Sequence, residues 1–145
     1  MPITQWREDG AHVDRIRAVL ASAVGDPSES TLSALLNETY REPGTRLDII
    51  WDGPEIIGAV GTRVCGLDLA KILHMAIDAR YRGQGWGRLA IHYLRQEVYP
   101  GVSLLAETDH EAVGFYARLG FRIESLGEKY PGIERFRCLW AGIRG

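Results

Sequence analysis

The chain has 145 residues, 46% of them hydrophobic and 25% charged, the proportions of a globular domain long enough to bury a core. Seventeen Lys plus Arg against nineteen Asp plus Glu leave a formal net charge of −2, so no broad cationic field points to nucleic acid or an anionic membrane surface. Residues 1–25 hold no apolar run of signal-peptide type and no stretch approaches the roughly 20 apolar residues of a membrane span, which implies a cytoplasmic protein.

No internal repeat or low-complexity linker interrupts the sequence, which predicts one domain over residues 1–145. A first strand is expected near residues 3–7. Val13, Ile16, Val19, Leu20 and Ala23 then recur at helical spacing until Gly25 and Pro27 stop the pattern. Ser28 or Ser30 can cap a second helix whose apolar stripe is Leu32, Leu35, Leu36 and Tyr40, ended by Pro43-Gly44. Residues 46–51 and 55–64 are rich in Ile, Val and Trp, and the intervening Asp52-Gly53-Pro54 predicts an antiparallel hairpin. The nearly unbroken apolar run over 71–77 suits a strand buried on both faces.

Residues 85–98 read as a helix with Trp86, Leu89, Ala90, Tyr93, Leu94 and Val98 on one side and Arg88, His92, Arg95 and Gln96 on the other. After Tyr99-Pro100-Gly101 come a buried strand over 102–108 and a short helix over 111–119, closed by Gly120 where a left-handed residue is favoured. Two strands end the chain, the last with Phe136, Cys138 and Trp140 alternating with Arg135, Arg137 and Leu139. The order predicts an α/β domain with a strand-helix-strand crossover near its centre. Cys65 and Cys138 lack metal-ligand spacing and read as small apolar strand residues, with neither a metal site nor a disulfide.

The chemistry-bearing segment is Arg80-Tyr81-Arg82-Gly83-Gln84-Gly85-Trp86-Gly87-Arg88, between a buried strand and a helix. Three glycines at alternate positions bare the backbone amides, and the first amides of a helix lack intrahelical partners and carry the positive end of its dipole. Such a loop can cradle a pyrophosphate beside Arg82 or Arg88. A plain tight turn needs only one glycine. Gly85-x-Gly87-x-x-Ala90 also fits a dinucleotide fingerprint, with Glu107 or Asp109 about 20 residues on. Residues 78–84, however, separate the strand from the first glycine of that fingerprint.

Arg82-x-x-Gly85-x-Gly87 resembles the acetyl-CoA signature of the GNAT superfamily of N-acetyltransferases, Gln/Arg-x-x-Gly-x-Gly/Ala. Residues 112–121, Ala-Val-Gly-Phe-Tyr-Ala-Arg-Leu-Gly-Phe, are similar to the family's second signature, an apolar helix that carries a tyrosine and closes at Gly-Phe. The resemblance implies a mixed central sheet of about seven strands with one splayed pair and about four helices. It also implies acetyl-CoA as co-substrate, no metal, and direct acetyl transfer to a primary amine of a small molecule or peptide. A non-catalytic acyl-CoA-binding or sensing module is the competing reading, and a homodimer is compatible with either. One departure stands out: Asp109 occupies the position where the family usually has Asn, and Thr108-x-x-Glu111 spells a capping box, so Thr108, Asp109 and Glu111 also have a helix-starting reading.

By this resemblance a backbone amide within Met75, Ala76 and Ile77 polarises the thioester carbonyl, and Arg82, Gly83, Gln84, Gly85, Trp86, Gly87 and Arg88 hold the pyrophosphate, with Asp109 and Tyr116 completing the cofactor contacts. Tyr116 stands where family members often carry the general acid, its alternative being a packed aromatic beside Phe115. Two residues are candidates for the base. Glu107 ends a strand where open α/β sheets place ligands, and His74 lies mid-strand and titrates in the right range; a solvated carboxylate and a core histidine are the alternatives. Substrate-facing parts are expected over residues 29–42 and 127–135, where Glu29, Glu38 and Glu42 favour a cationic amine.

Overall fold

The computed structural model describes residues 2–7, 10–24 and 27–142, the side chain of Lys129 excepted. Its elements are β1 (Ile3–Gln5), α1 (Val13–Leu20), α2 (Glu29–Asn37), β2 (Thr45–Asp52), β3 (Glu55–Val64), β4 (Leu69–Ile77), α3 (Trp86–Tyr93), β5 (Ser103–Thr108), α4 (Val113–Arg118), β6 (Arg122–Tyr130) and β7 (Ile133–Trp140). The strands form one mixed sheet in the order β1-β2-β3-β4-β5-β7-β6. This is the α/β fold expected from the sequence. The strand β4 pairs with β5 in parallel from Leu69↔Ser103 to Ile72↔Ala106, while β1–β2, β2–β3, β5–β7 and β6–β7 are antiparallel. The chain divides into two compact units, Met1–Arg63 with Leu73–Tyr93, and Val64–Ile72 with Leu94–Gly145.

In the first unit Ile16, Val19 and Leu20 of α1 and Leu32 and Leu36 of α2 pack with Leu47, Ile49, Ile56, Ala59, Ala76 and Tyr40. Each large aliphatic side chain so enclosed contributes roughly 1.5–3 kcal/mol. The Ser28 side chain accepts from the Thr31 amide at 3.3 Å and is the cap of α2. The first helix ends in a 3-10 turn over Ala21–Ala23; Gly25, read as its stop, lies outside the described residues. Asp48, read only as part of a strand, is fully buried. Its carboxylate takes two bonds from Arg46, at 2.9 and 2.7 Å, and one from the Tyr93 hydroxyl at 3.0 Å, so a buried charge is paired and β2 is tied to α3.

Three expectations differ in detail. The helix predicted over 85–98 is α-helical only to Tyr93, and Leu94–Val98 widens into a π-turn closed by the Tyr99 amide on the Leu94 carbonyl at 2.8 Å. The five-residue step brings both Leu94 and Tyr99 into buried positions. Along β4, Ala70, Ile72 and Ala76 are buried but Lys71, Leu73, His74 and Met75 are half-buried, so the strand is less enclosed than its apolar run implied. Finally, Cys65 is exposed because β3 ends at Val64 and Cys65 opens the turn into β4, whereas Cys138 is buried within β7 as expected.

Candidate functional site

In the first unit, β4 ends in an ion-pair lattice built around Asp78. Its carboxylate receives Arg15 Nη2 at 2.7 Å, the Arg80 amide at 2.9 Å and Arg80 Nε at 3.3 Å, while its own amide donates to the Ile57 carbonyl at 2.7 Å. Arg15 Nε donates to the Ile56 carbonyl at 2.9 Å, and Glu55 takes Arg80 Nη2 at 3.1 Å and the Tyr81 hydroxyl at 2.7 Å. The β2–β3 hairpin, α1 and the residues leading into the glycine loop thus share one network. The arginines beside it hold the Asp78 carboxyl far below the usual carboxylate range, the Arg15 bond being the largest cause.

Arg82, Gly83, Gln84, Gly85 and Arg88 are exposed, and Trp86 and Gly87 are half-buried. Gly83 and Gly85 have φ of 75° and 92°, and a Cβ built on either would meet nothing within 4 Å, so both faces are open. The Gly85 carbonyl accepts the Leu89 amide at 3.0 Å, which makes the amides of Trp86, Gly87 and Arg88 the first-turn donors of α3. Arg82 Nε is already engaged by the Ile77 carbonyl at 3.0 Å and Gln84 Nε2 by the Arg80 carbonyl at 3.3 Å. On β4, His74 Nδ1 and the Tyr40 hydroxyl are hydrogen-bonded. Burial pushes the His74 pKa down and the Tyr40 phenol up.

In the second unit Glu107, on β5, faces Arg137 of β7 in register, and its Oε2 takes Lys71 Nζ at 3.1 Å. Asp109 Oδ1 accepts the amides of Glu111 and Ala112 at 3.0 and 3.1 Å, so Asp109 rather than a Thr108–Glu111 box starts the α4 turn. The reason is positional: Thr108 is still in β5, paired with Phe136. Tyr116 on α4 is buried, its ring edge-on to Phe115 at 5.0 Å and to Phe121 at 5.2 Å. Burial raises the phenol pKa, with Cys138 adding to the effect. The corner after α4 is held by Arg95, which donates to the Leu119 carbonyl at 2.8 Å and lies 4.3 Å over the Trp140 ring.

Residues 44–123 match the family model for the acetyltransferase (GNAT) domain. The chain belongs to the GNAT acetyltransferase family. Over 79 residues it is 34% identical to mycothiol acetyltransferase of Corynebacterium glutamicum (strain R), covering 51% of this chain and 27% of that protein, so the match spans about a quarter of the relative's length. An aminoglycoside 6′-N-acetyltransferase solved with coenzyme A shares the fold at a TM-score of 0.79 and 16% identity, covering 100% of this chain and 99% of its own. The ribosomal-protein-S18-alanine N-acetyltransferase of Escherichia coli does so at 0.73 and 21% identity, covering 99% and 96%.

Each unit of this GNAT chain holds its own share of the residues singled out in the sequence: Met75–Arg88 and His74 in one, Glu107, Asp109 and Tyr116 in the other. Of the acidic residues over 29–42, Glu29 and Glu38 are exposed and Glu42 pairs with Arg63 at 3.3 Å. Sequence reading missed Arg15, Glu55, Asp78 and Tyr40 because each has a partner that lies 25 to 63 residues away in the chain. Asp78→Asn is expected to lower Tm by a few degrees at pH 7. A carboxyl depressed in the folded state contributes stability that is fully present above its unfolded pKa of about 3.9 and lost as pH falls toward its folded value. The Tm gap between variant and wild type should therefore be constant from about pH 5 upward and narrow in acid, which thermal melts across pH will read.

Proposed function

We propose that residues 1–145 act as one acetyl-CoA-dependent N-acetyltransferase domain that passes acetyl directly to a primary amine of a small molecule or peptide. The supporting observation is the loop of open, positive-φ glycines leading into the first-turn amides of α3, braced by the Asp78 lattice. Those amides with Arg82 and Arg88 suit a pyrophosphate. Acetyl-CoA, a co-substrate, supplies the activated thioester; a backbone amide among Met75–Ile77 polarises its carbonyl. The amine nitrogen attacks the carbonyl carbon, the C–S bond breaks, and Tyr116 gives the departing thiolate its proton. No covalent enzyme intermediate is needed.

An alkylammonium with a pKa near ~10.4 must first lose a proton at neutral pH. Glu107, oriented by Lys71, is the proposed acceptor, directly or through water. The named relatives act on acceptors as different as an aminoglycoside and a protein alanine, so the acceptor here is assigned only as a primary amine. The exposed Glu29 and Glu38 favour a cationic one. Among the described residues no helix is long and apolar enough to cross a membrane.

Calorimetry with CoA, followed by a thiol-release screen with acetyl-CoA against polyamines, aminoglycosides, amino acids and peptide N-termini, tests the reading. CoA binding together with amine-dependent thiol release supports it; tighter binding of NAD, or no CoA binding, removes it. Glu107→Gln is expected to depress the acidic limb of the pH–rate profile for the amine found, with CoA affinity preserved. An unchanged profile returns Glu107 to a structural role that includes its ion pair with Lys71.

A further inference from the structure

Tyr40 lies on the 3-10 turn Thr39–Arg41 after α2, 34 residues from His74, yet its hydroxyl meets His74 Nδ1. Tyr40 is 6% exposed, and its ring is edge-on to the imidazole with centroids 5.8 Å apart. Gly61 of β3 is shaped to it as well, because a Cβ at that position would overlap the phenol oxygen. Three elements of one unit therefore converge on a single hydrogen bond.

The direction of that bond follows from acid–base strength. A phenol O–H is a far stronger acid than the N–H of neutral imidazole, and an imidazole nitrogen is a far stronger base than a phenol oxygen. Burial keeps both partners neutral, raising the one pKa and lowering the other. The phenol therefore donates, and the ring's single proton resides on Nε2. Among the described residues Nε2 meets no protein acceptor, and His74 is half-buried, not fully enclosed.

We propose that Tyr40 is a positioning residue that fixes His74 as a neutral Nε2–H hydrogen-bond donor to the acceptor substrate. The inference rests on the acetyltransferase reading and deepens it. His74 orients the acceptor through a hydroxyl, ether or carbonyl oxygen near the amine, and proton acceptance stays with Glu107. The substrate class that fits is an amine bearing an oxygen acceptor within reach, as opposed to a bare alkylamine.

Side-chain nitrogen NMR of the full chain, with His74 signals assigned by their loss in His74→Gln, reads the tautomer without kinetics. Wild type should report Nδ1 as unprotonated and Nε2 as protonated, and Tyr40→Phe should turn this into a tautomer mixture. In kinetics, Tyr40→Phe should raise the KM for the acceptor about three- to tenfold, the range for one neutral hydrogen bond, with CoA affinity unchanged. His74→Gln, which keeps an N–H donor, should retain kcat within about threefold, while His74→Ala should show the larger KM rise. A protonated Nδ1 in wild type overturns the proposal, and so does loss of turnover in His74→Gln as complete as in His74→Ala, since that marks a base. If no amine releases thiol while NMR still finds Nε2–H, the acetyltransferase reading and the donor role fail and the tautomer assignment stands.

Discussion

Tyr116→Phe is expected to keep the fold and the affinity for CoA while lowering turnover about 10²-fold or more, the usual scale for a positioned acid. The ring remains, so the edge-on contacts with Phe115 and Phe121 and the Phe121 amide bond to the Tyr116 carbonyl, at 3.2 Å, are retained. Only the proton donor goes. Burial raises the phenol pKa, which keeps the group protonated across the working range but makes it a weaker acid. A thiolate leaving in equally desolvated surroundings would have its own basicity raised, which would keep the transfer matched. Magnitude separates the roles: a packing hydroxyl moves stability by about 1 kcal/mol, whereas 10² in rate is about 2.7 kcal/mol of barrier. Thiol release under conditions where chemistry limits the rate is the measurement, and unchanged turnover assigns Tyr116 to packing.

Gly85→Val is expected to raise the Kd for CoA about 10²-fold through the loss of one or two charge-assisted amide contacts worth about 1.5–3 kcal/mol each, while the backbone cost of about 1–3 kcal/mol, shared by free and bound protein, lowers Tm. At φ of 92° a β-branched residue is a conformational outlier, and its side chain would occupy the open space in front of the loop. Gly66 provides the control, since it too has positive φ, 102°, and open space around a Cβ. Gly66→Val should lower Tm and leave calorimetric CoA affinity alone. Equal affinity in Gly85→Val and wild type would take the pyrophosphate off this loop.

Local patterns carried much of the architecture. The hairpin around Gly53, the cap at Ser28, the glycine at φ 89° that closes α4 and the strand-loop-helix segment that begins at β4 are each specified by residues a few positions apart. Short-range geometry is written in short-range sequence, so propensity and periodicity reach it. The glycine loop belongs to the same class, because bare amides and positive φ are properties of the loop's own residues. Even locally, competition blurred detail: Thr108 and Asp109 both fitted a helix start, and only the pairing of Thr108 with Phe136 left that task to Asp109.

What the sequence by itself determined is the order of elements, the family and the glycine segment between β4 and α3. What only the tertiary structure decided is which side chains meet across long separations. Asp78 finds Arg15, Tyr40 finds His74, Lys71 finds Glu107 and Asp48 finds Tyr93, over separations of 34 to 63 residues. No periodicity encodes such pairs, because each depends on strand order and on which helix covers which face. Their protonation was equally out of reach, since burial, which pushes His74 down and Tyr40 and Tyr116 up, is a property of the packed molecule and not of any residue in it.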